Sequence, residues 1–259
     1  VSLIKIQVDA DDMLNRHFTE IEQKNLPFAV MQAANATAFG VREAWKKEAP
    51  HVFDNPVSLT INAAQYRKAT KNKLYAEVYL RDEATNGTPP AKYLLPQVEG
   101  GTRRKKGLEV LLQAKGAMPA GMFAVPGKGA TLDASGNIQK GQINKILSQL
   151  GARNDSLQNE TDTSRDRRRK RAAKKGDRGG EFFAIQKQRG RMMPGIYERL
   201  RTGFGSGVRS VLVFVNRTSY KPRYNIFDYA QRTWDKLMPF HFQRELEKAV
   251  QTSKFRGQA

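Results

Sequence analysis

Between Ser164 and Gly179 nine side chains are basic: Arg165, Arg167, Arg168, Arg169, Lys170, Arg171, Lys174, Lys175 and Arg178. Only Asp166 and Asp177 oppose them. Guanidinium and ammonium groups at this density do one kind of chemistry, the neutralisation of phosphates and carboxylates. Such a run repels itself and cannot enter an apolar core. It needs water, nucleic acid or an acidic protein surface beside it. A second cluster, Arg103, Arg104, Lys105 and Lys106, lies sixty residues earlier, and the two segments carry more than half of the formal net charge of +20. No aromatic side chain lies between Phe123 and Phe182 to stack on a base. Contact of the longer run with DNA would therefore go through phosphates, without sequence preference and with a steep dependence on salt.

The remaining chemistry-bearing residues do not converge. His17, His51 and His241 are far apart and form no ligand-spaced pair. The chain has no cysteine, which excludes disulfides, thiolate metal sites and thiol nucleophiles. Asp11/Asp12 and Asp82/Glu83 are adjacent pairs; on a strand such neighbours point to opposite faces, unlike the converging carboxylates of a two-metal nuclease. Gly127-Lys128-Gly129-Ala130-Thr131 lacks the earlier glycine and the Gly-Lys-[Ser/Thr] ending of a phosphate loop and reads as a turn. No residue is nominated as catalytic, cofactor-binding or metal-ligating, no cofactor is implied, and the chain reads as a non-enzyme. The nominated site residues are contacts to a partner or to DNA: Arg103, Arg104, Lys105, Lys106, Arg165, Arg167, Arg168, Arg169, Lys170, Arg171, Lys174 and Lys175.

The elements that must position these groups are read from apolar spacing. Residues 3–8 alternate as a strand, and a short helix is expected from Asp11 to Gln23. Asn25 offers a cap and Pro27 a first-turn proline for a second helix, whose stripe is Phe28, Met31, Ala34, Ala38, Val41 and Trp45, ending at Pro50. Its alanines and Gly40 make one flank thin, so another element can approach closely. Strands are expected between Val57 and Arg81, with Leu74, Ala76, Val78 and Leu80 on one face, and a short strand at Tyr93–Pro96. Two turns of helix at Gly107–Ala114, a strand at Gly121–Pro126 and a helix at Ile143–Leu150 follow. Residues 151–180 read as a polar linker. Phe182–Ile185 and Val208–Val215 are strands, the latter buried on both faces, and a final helix starts near Asn225 with a kink at Pro239.

These elements predict an α+β fold: a mainly antiparallel sheet bracketed by an N-terminal and a C-terminal amphipathic helix, with a long basic insertion. Residues 1–103 and 181–259 are read as the two parts of one body and residues 104–180 as insertion and basic linker. Phe28, Met31, Val41 and Trp45 are expected to pack on the Leu74–Leu80 and Val211–Val215 strands. The N-terminal residues show neither the basic leader nor the apolar run of a signal peptide, and no window approaches the roughly 20 apolar residues that span a bilayer. The expectation is a soluble protein of the cytoplasm, or of a particle assembled there, with no membrane partner.

Three segments give the chain a family likeness. The alanine-rich helix ends in Lys46-Lys47-Glu48-Ala49-Pro50 and is followed by the strand-forming, basic stretch Val57–Thr70. Tyr93-Leu94-Leu95-Pro96-Gln97-Val98-Glu99-Gly100-Gly101-Thr102-Arg103 is the second, and Met193-Pro194-Gly195-Ile196-Tyr197, behind the basic linker, is the third. In these segments and in the order of its elements the chain resembles the head–tail joining, tail-completion and minor tail proteins of tailed bacteriophages, including the lambda-type minor tail protein Z. The resemblance implies a virion structural protein of the neck or upper tail, assembled in the host cytoplasm. It implies a ring of copies of the chain that completes the tail for attachment to the DNA-filled head. Its partners would be other copies, portal or adaptor or tail-tube proteins, and the phosphate backbone of the phage DNA. The competing reading is a free nucleic-acid-binding protein without sequence preference.

Overall fold

The computed structural model describes residues 20–85, 87–175, 180–202 and 205–256; the expected strand at residues 3–8 and the start of the short helix lie outside them. The fold is α+β, with antiparallel sheets and long N-terminal and C-terminal helices packed on each other. It divides into two compact units, residues 1–100 with 221–259, and residues 101–220.

The first unit is built on α1 (Glu20–Val52) and α7 (Ile226–Arg256). Small residues let the two backbones approach: Ala33, Ala34 and Ala38 are buried, and a Cβ on Gly40 would sit 2.5 Å from Leu237 Cδ1. Trp45 is fully buried, and its indole Nε1 donates to the Ile226 carbonyl at 2.8 Å. The Tyr224 hydroxyl donates to the Trp45 carbonyl at 2.8 Å, closing the helix pair at that end. The hairpin of β1 (Ala64–Arg67) and β2 (Glu77–Leu80) covers α1 with Ala64, Val78 and Leu80. A single turn, α2 (Ser58–Ile61), precedes it.

Several expectations for this unit are corrected. Pro27 lies inside α1 and not in its first turn, because the helix already runs from Glu20. Phe28 is 44% exposed; the buried face is carried by Ala29, Val30, Ala33, Thr37, Val41 and Trp45. Tyr93–Pro96 is helical, within α3 (Pro90–Val98). Pro90 presets the first turn, Leu94 and Val98 face the core one turn apart, and the Tyr93 hydroxyl bonds Thr60 at 2.9 Å. The final helix is present as expected: α7 runs from Ile226 through Pro239 to Arg256, burying Ala230, Met238, Phe242 and Leu246.

The second unit has a four-stranded antiparallel sheet in the order β4 (Phe123–Pro126), β7 (Gly205–Val215), β6 (Gly195–Thr202), β5 (Glu181–Ile185). A small ladder pairs β3 (Gly101–Thr102) with β8 (Ser219–Tyr220). Helices α4 (Gly107–Ala114) and α5 (Lys140–Gln149) supply Leu112, Ile146 and Leu147 to a core shared with Phe182, Ile196, Leu212 and Phe214. The apolar run Val211–Val215 is an interior strand, as expected, but its core is this one. Trp45 and Val41 belong to the core of the first unit. The expected packing of α1 on Val211–Val215 is therefore corrected, because residues 101–220 cover that strand with their own helices.

Gly195 shows why side chains are limited at the β6–β7 ladder. A Cβ there would lie 2.2 Å from the Leu212 carbonyl oxygen, a backbone atom that cannot swing aside. Gly195→Ala is expected to destabilise the second unit by about 1–3 kcal/mol, measured by chemical denaturation followed by circular dichroism.

Candidate functional site

The stretch expected to be a linker contains a fourteen-residue helix, α6 (Asp162–Lys175), preceded by one 3-10 turn at Ser156–Gln158. Its N-terminus is closed reciprocally: the Thr161 amide donates to Ser164 Oγ at 2.9 Å, and the Ser164 amide to Thr161 Oγ1 at 3.2 Å. Asp162 adds a negative charge to the first turn, and arginine, lysine and alanine are strong helix formers. None of its described side chains is buried. Caps and ion pairs hold the helix where packing does not.

Those ion pairs lie on one face. Arg168 forms a fork with Glu160 at 2.7 and 3.2 Å, Arg165 bonds Asp162 at 2.9 Å and approaches Glu160 at 3.9 Å, and Arg169 bonds Glu181 at 2.6 Å. Glu160 is itself fixed to the end of α5, since its amide donates to the Ser148 carbonyl at 3.0 Å. Glu181 lies on β5 opposite Arg199. Arg169 foremost, helped by Arg168 and Arg199, holds its carboxyl below the usual carboxylate range.

The other face is different. At about 100° per residue, positions 165, 168 and 169 fall within one arc of about 100°, and positions 167, 170 and 171 within an equal arc opposite it. Arg167, Lys170 and Arg171 are exposed, and among the described residues none is bonded to a carboxylate. The side chains of Lys174 and Lys175 lie outside the described residues. Asp166 borders the row. The outcome is a row of cations about 6 Å long, counted from position 167 to 171 at about 1.5 Å per residue, on a helix anchored from behind.

The earlier cluster is placed differently. Arg103 is 12% exposed and clasps the fully buried Glu109 through two bonds of 2.9 and 2.5 Å. It also donates to the Ala124 carbonyl at 3.1 Å and lies 5.0 Å from the centre of the Phe123 ring. Glu109 further accepts the amides of Lys106 and Ala124, both at 2.7 Å. Burial alone would raise the Glu109 carboxyl, yet Arg103 and the two amides hold it below its ordinary value. The Lys105 ammonium donates to the Met122 carbonyl and sits 4.1 Å from the Phe123 ring centre. Arg103 and Lys105 thus bind their own unit, while Arg104 and Lys106 remain at the surface. No hydrogen bond or ion pair among the described residues joins this cluster to α6.

The anchoring carboxylates, Glu109, Glu160 and Glu181, were not singled out from sequence. The Thr161-x-x-Ser164 cap ahead of the basic run was the signal that could have found α6.

Other candidates resolve into structure. The amides of Gly127 and Gly129 donate to the Val211 and Ser210 carbonyls at 2.9 and 2.7 Å, so this loop spends on β7 the groups a phosphate cradle would need. His51 lies 3.6 Å from Glu48. His241 lines an open groove of about 410 Å³ with Asn35, Phe39, Tyr66, Arg244 and Glu245, and burial, then Arg244, pushes its imidazole down. Among the described residues no group of three or more histidine, aspartate and glutamate side chains could hold a metal, and no helix is long and apolar enough to cross a membrane. No family model, curated protein or solved structure matches this chain.

Proposed function

We propose that this chain is a structural protein of the neck or upper tail of a tailed bacteriophage, acting by assembly and not by catalysis. It forms a ring with other copies that completes the tail and joins it to the head. The observation that carries the reading is the cation row of α6, bonded to no carboxylate among the described residues and held outward by carboxylates against its opposite face. That arrangement suits a surface awaiting an anionic neighbour. The family likeness supplies the place. Charge supplies a further reason: copies that each carry +20 repel one another in a closed ring unless an anionic component neutralises them.

Mass spectrometry of purified heads, tails and whole virions tests the proposal. The chain is expected in tails or virions at a stoichiometry of several copies per particle. Its absence from all three would overturn the reading. The same row also supports a second reading, a free nucleic-acid-binding protein, which predicts DNA binding by the chain without association with particles.

A further inference from the structure

We infer that the Arg167–Lys170–Arg171 face of α6 docks on the phosphate backbone of duplex DNA. The inference rests on the reading of α6 as a docking surface and names its partner.

Protein interfaces draw affinity from apolar and aromatic anchors in a desolvated centre. From Asp162 to Arg171 the helix presents only polar and charged side chains, so it offers a protein pocket no apolar or aromatic anchor. A phosphate backbone needs no such anchor, because release of condensed counterions supplies the affinity. Two of the three outward groups are guanidiniums, whose planar fork matches phosphate oxygens in pairs. A row about 6 Å long spans roughly two phosphate rises of a single strand, at about 3.4 Å each. No aromatic lies on the helix, so the unstacked bases of a single strand gain no platform there, and the duplex is the fitting form. Anchoring by Glu160 and Glu181 orders the backbone beforehand, which lowers the entropy lost on binding.

The test is a titration of a short fluorescent duplex of arbitrary sequence with the full chain, at salt from about 50 to 200 mM. It compares the wild type with Arg167→Gln/Lys170→Gln/Arg171→Gln, whose glutamines preserve helix propensity and whose circular dichroism should match the wild type. A second variant, Lys47→Gln/Lys71→Gln/Lys236→Gln, removes the same charge from exposed sites of the other unit. The α6 variant is expected to lose more than tenfold in affinity at about 100 mM salt. Its slope of log affinity against log salt should fall by about 2–3, near 0.9 for each lost phosphate contact. The other variant should keep its slope within about one. Equal slopes for wild type and α6 variant, or equal losses in both variants, would overturn the inference. So would displacement of the DNA by poly-glutamate of equal total charge, which would make an acidic protein the occupant. These outcomes concern only the purified chain, so failure here leaves particle location to decide the proposed function separately.

Discussion

Replacing Glu109 by Ala is expected to destabilise the unit spanning residues 101–220 by about 3–5 kcal/mol, the cost of removing one partner of a buried ion pair. The Arg103 guanidinium would be left in the interior without its carboxylate, and the Ala124 and Lys106 amides would lose their acceptor. Both tryptophans, Trp45 and Trp234, lie in the other unit, so fluorescence would not report the loss. Hydrogen exchange across residues 107–126, read by mass spectrometry, would. The paired substitution Arg103→Met/Glu109→Leu should cost less than Glu109→Ala alone, because it removes both charges together. Wild-type exchange rates in Glu109→Ala would mean that the pair does not hold the unit. The Glu109 carboxyl also titrates below its ordinary range, so it binds fewer protons folded than unfolded in mildly acidic solution. Its stabilising contribution is present above the unfolded value, about pH 4.3, and is lost as pH falls through the folded one. Glu109→Gln should therefore flatten the acid limb of the stability curve for that region.

Trp45→Ala is expected to cost about 3–5 kcal/mol in the unit formed by α1, α7 and the β1–β2 hairpin. The side chain is fully buried at the helix pair, and its loss leaves both a cavity and the Ile226 carbonyl without its donor. Trp45→Phe keeps most of the volume and removes the bond, so about 1–3 kcal/mol is expected. Urea unfolding followed by the remaining Trp234 fluorescence separates the two. Unchanged midpoints in Trp45→Ala would contradict the placement of α1 against α7.

The stripe of α1 was legible because Val41 and Trp45, together with the thin flank of alanines and Gly40, repeat at helical spacing. The position of Phe28 was not, because one exposed phenylalanine fits the same period. The run Val211–Val215 declared a buried strand through its own apolarity. Which core it joins depends on pairing with residues far along the chain, and local pattern is silent about that. Helix α6 escaped a reading based on apolar period because it has none; its stability comes from a two-residue cap and from carboxylates at Glu160 and Glu181. Composition alone made Arg103 equivalent to Arg167. Burial of Glu109 six residues later turns the first inward, and the opposite helical phase leaves the second outside. Of the candidate site, the sequence located the charge; the division into supporting and free cations required the fold.

The central claim is that the outer face of α6 is covered by an anionic partner in the particle. Lysine acetylation of Lys170, read by mass spectrometry in the isolated chain and in purified particles, tests it directly. Lys170 is exposed in the chain itself and should react readily there, and its modification should fall at least tenfold in the particle. Equal reactivity in both would show that this face meets nothing, and would contradict the account.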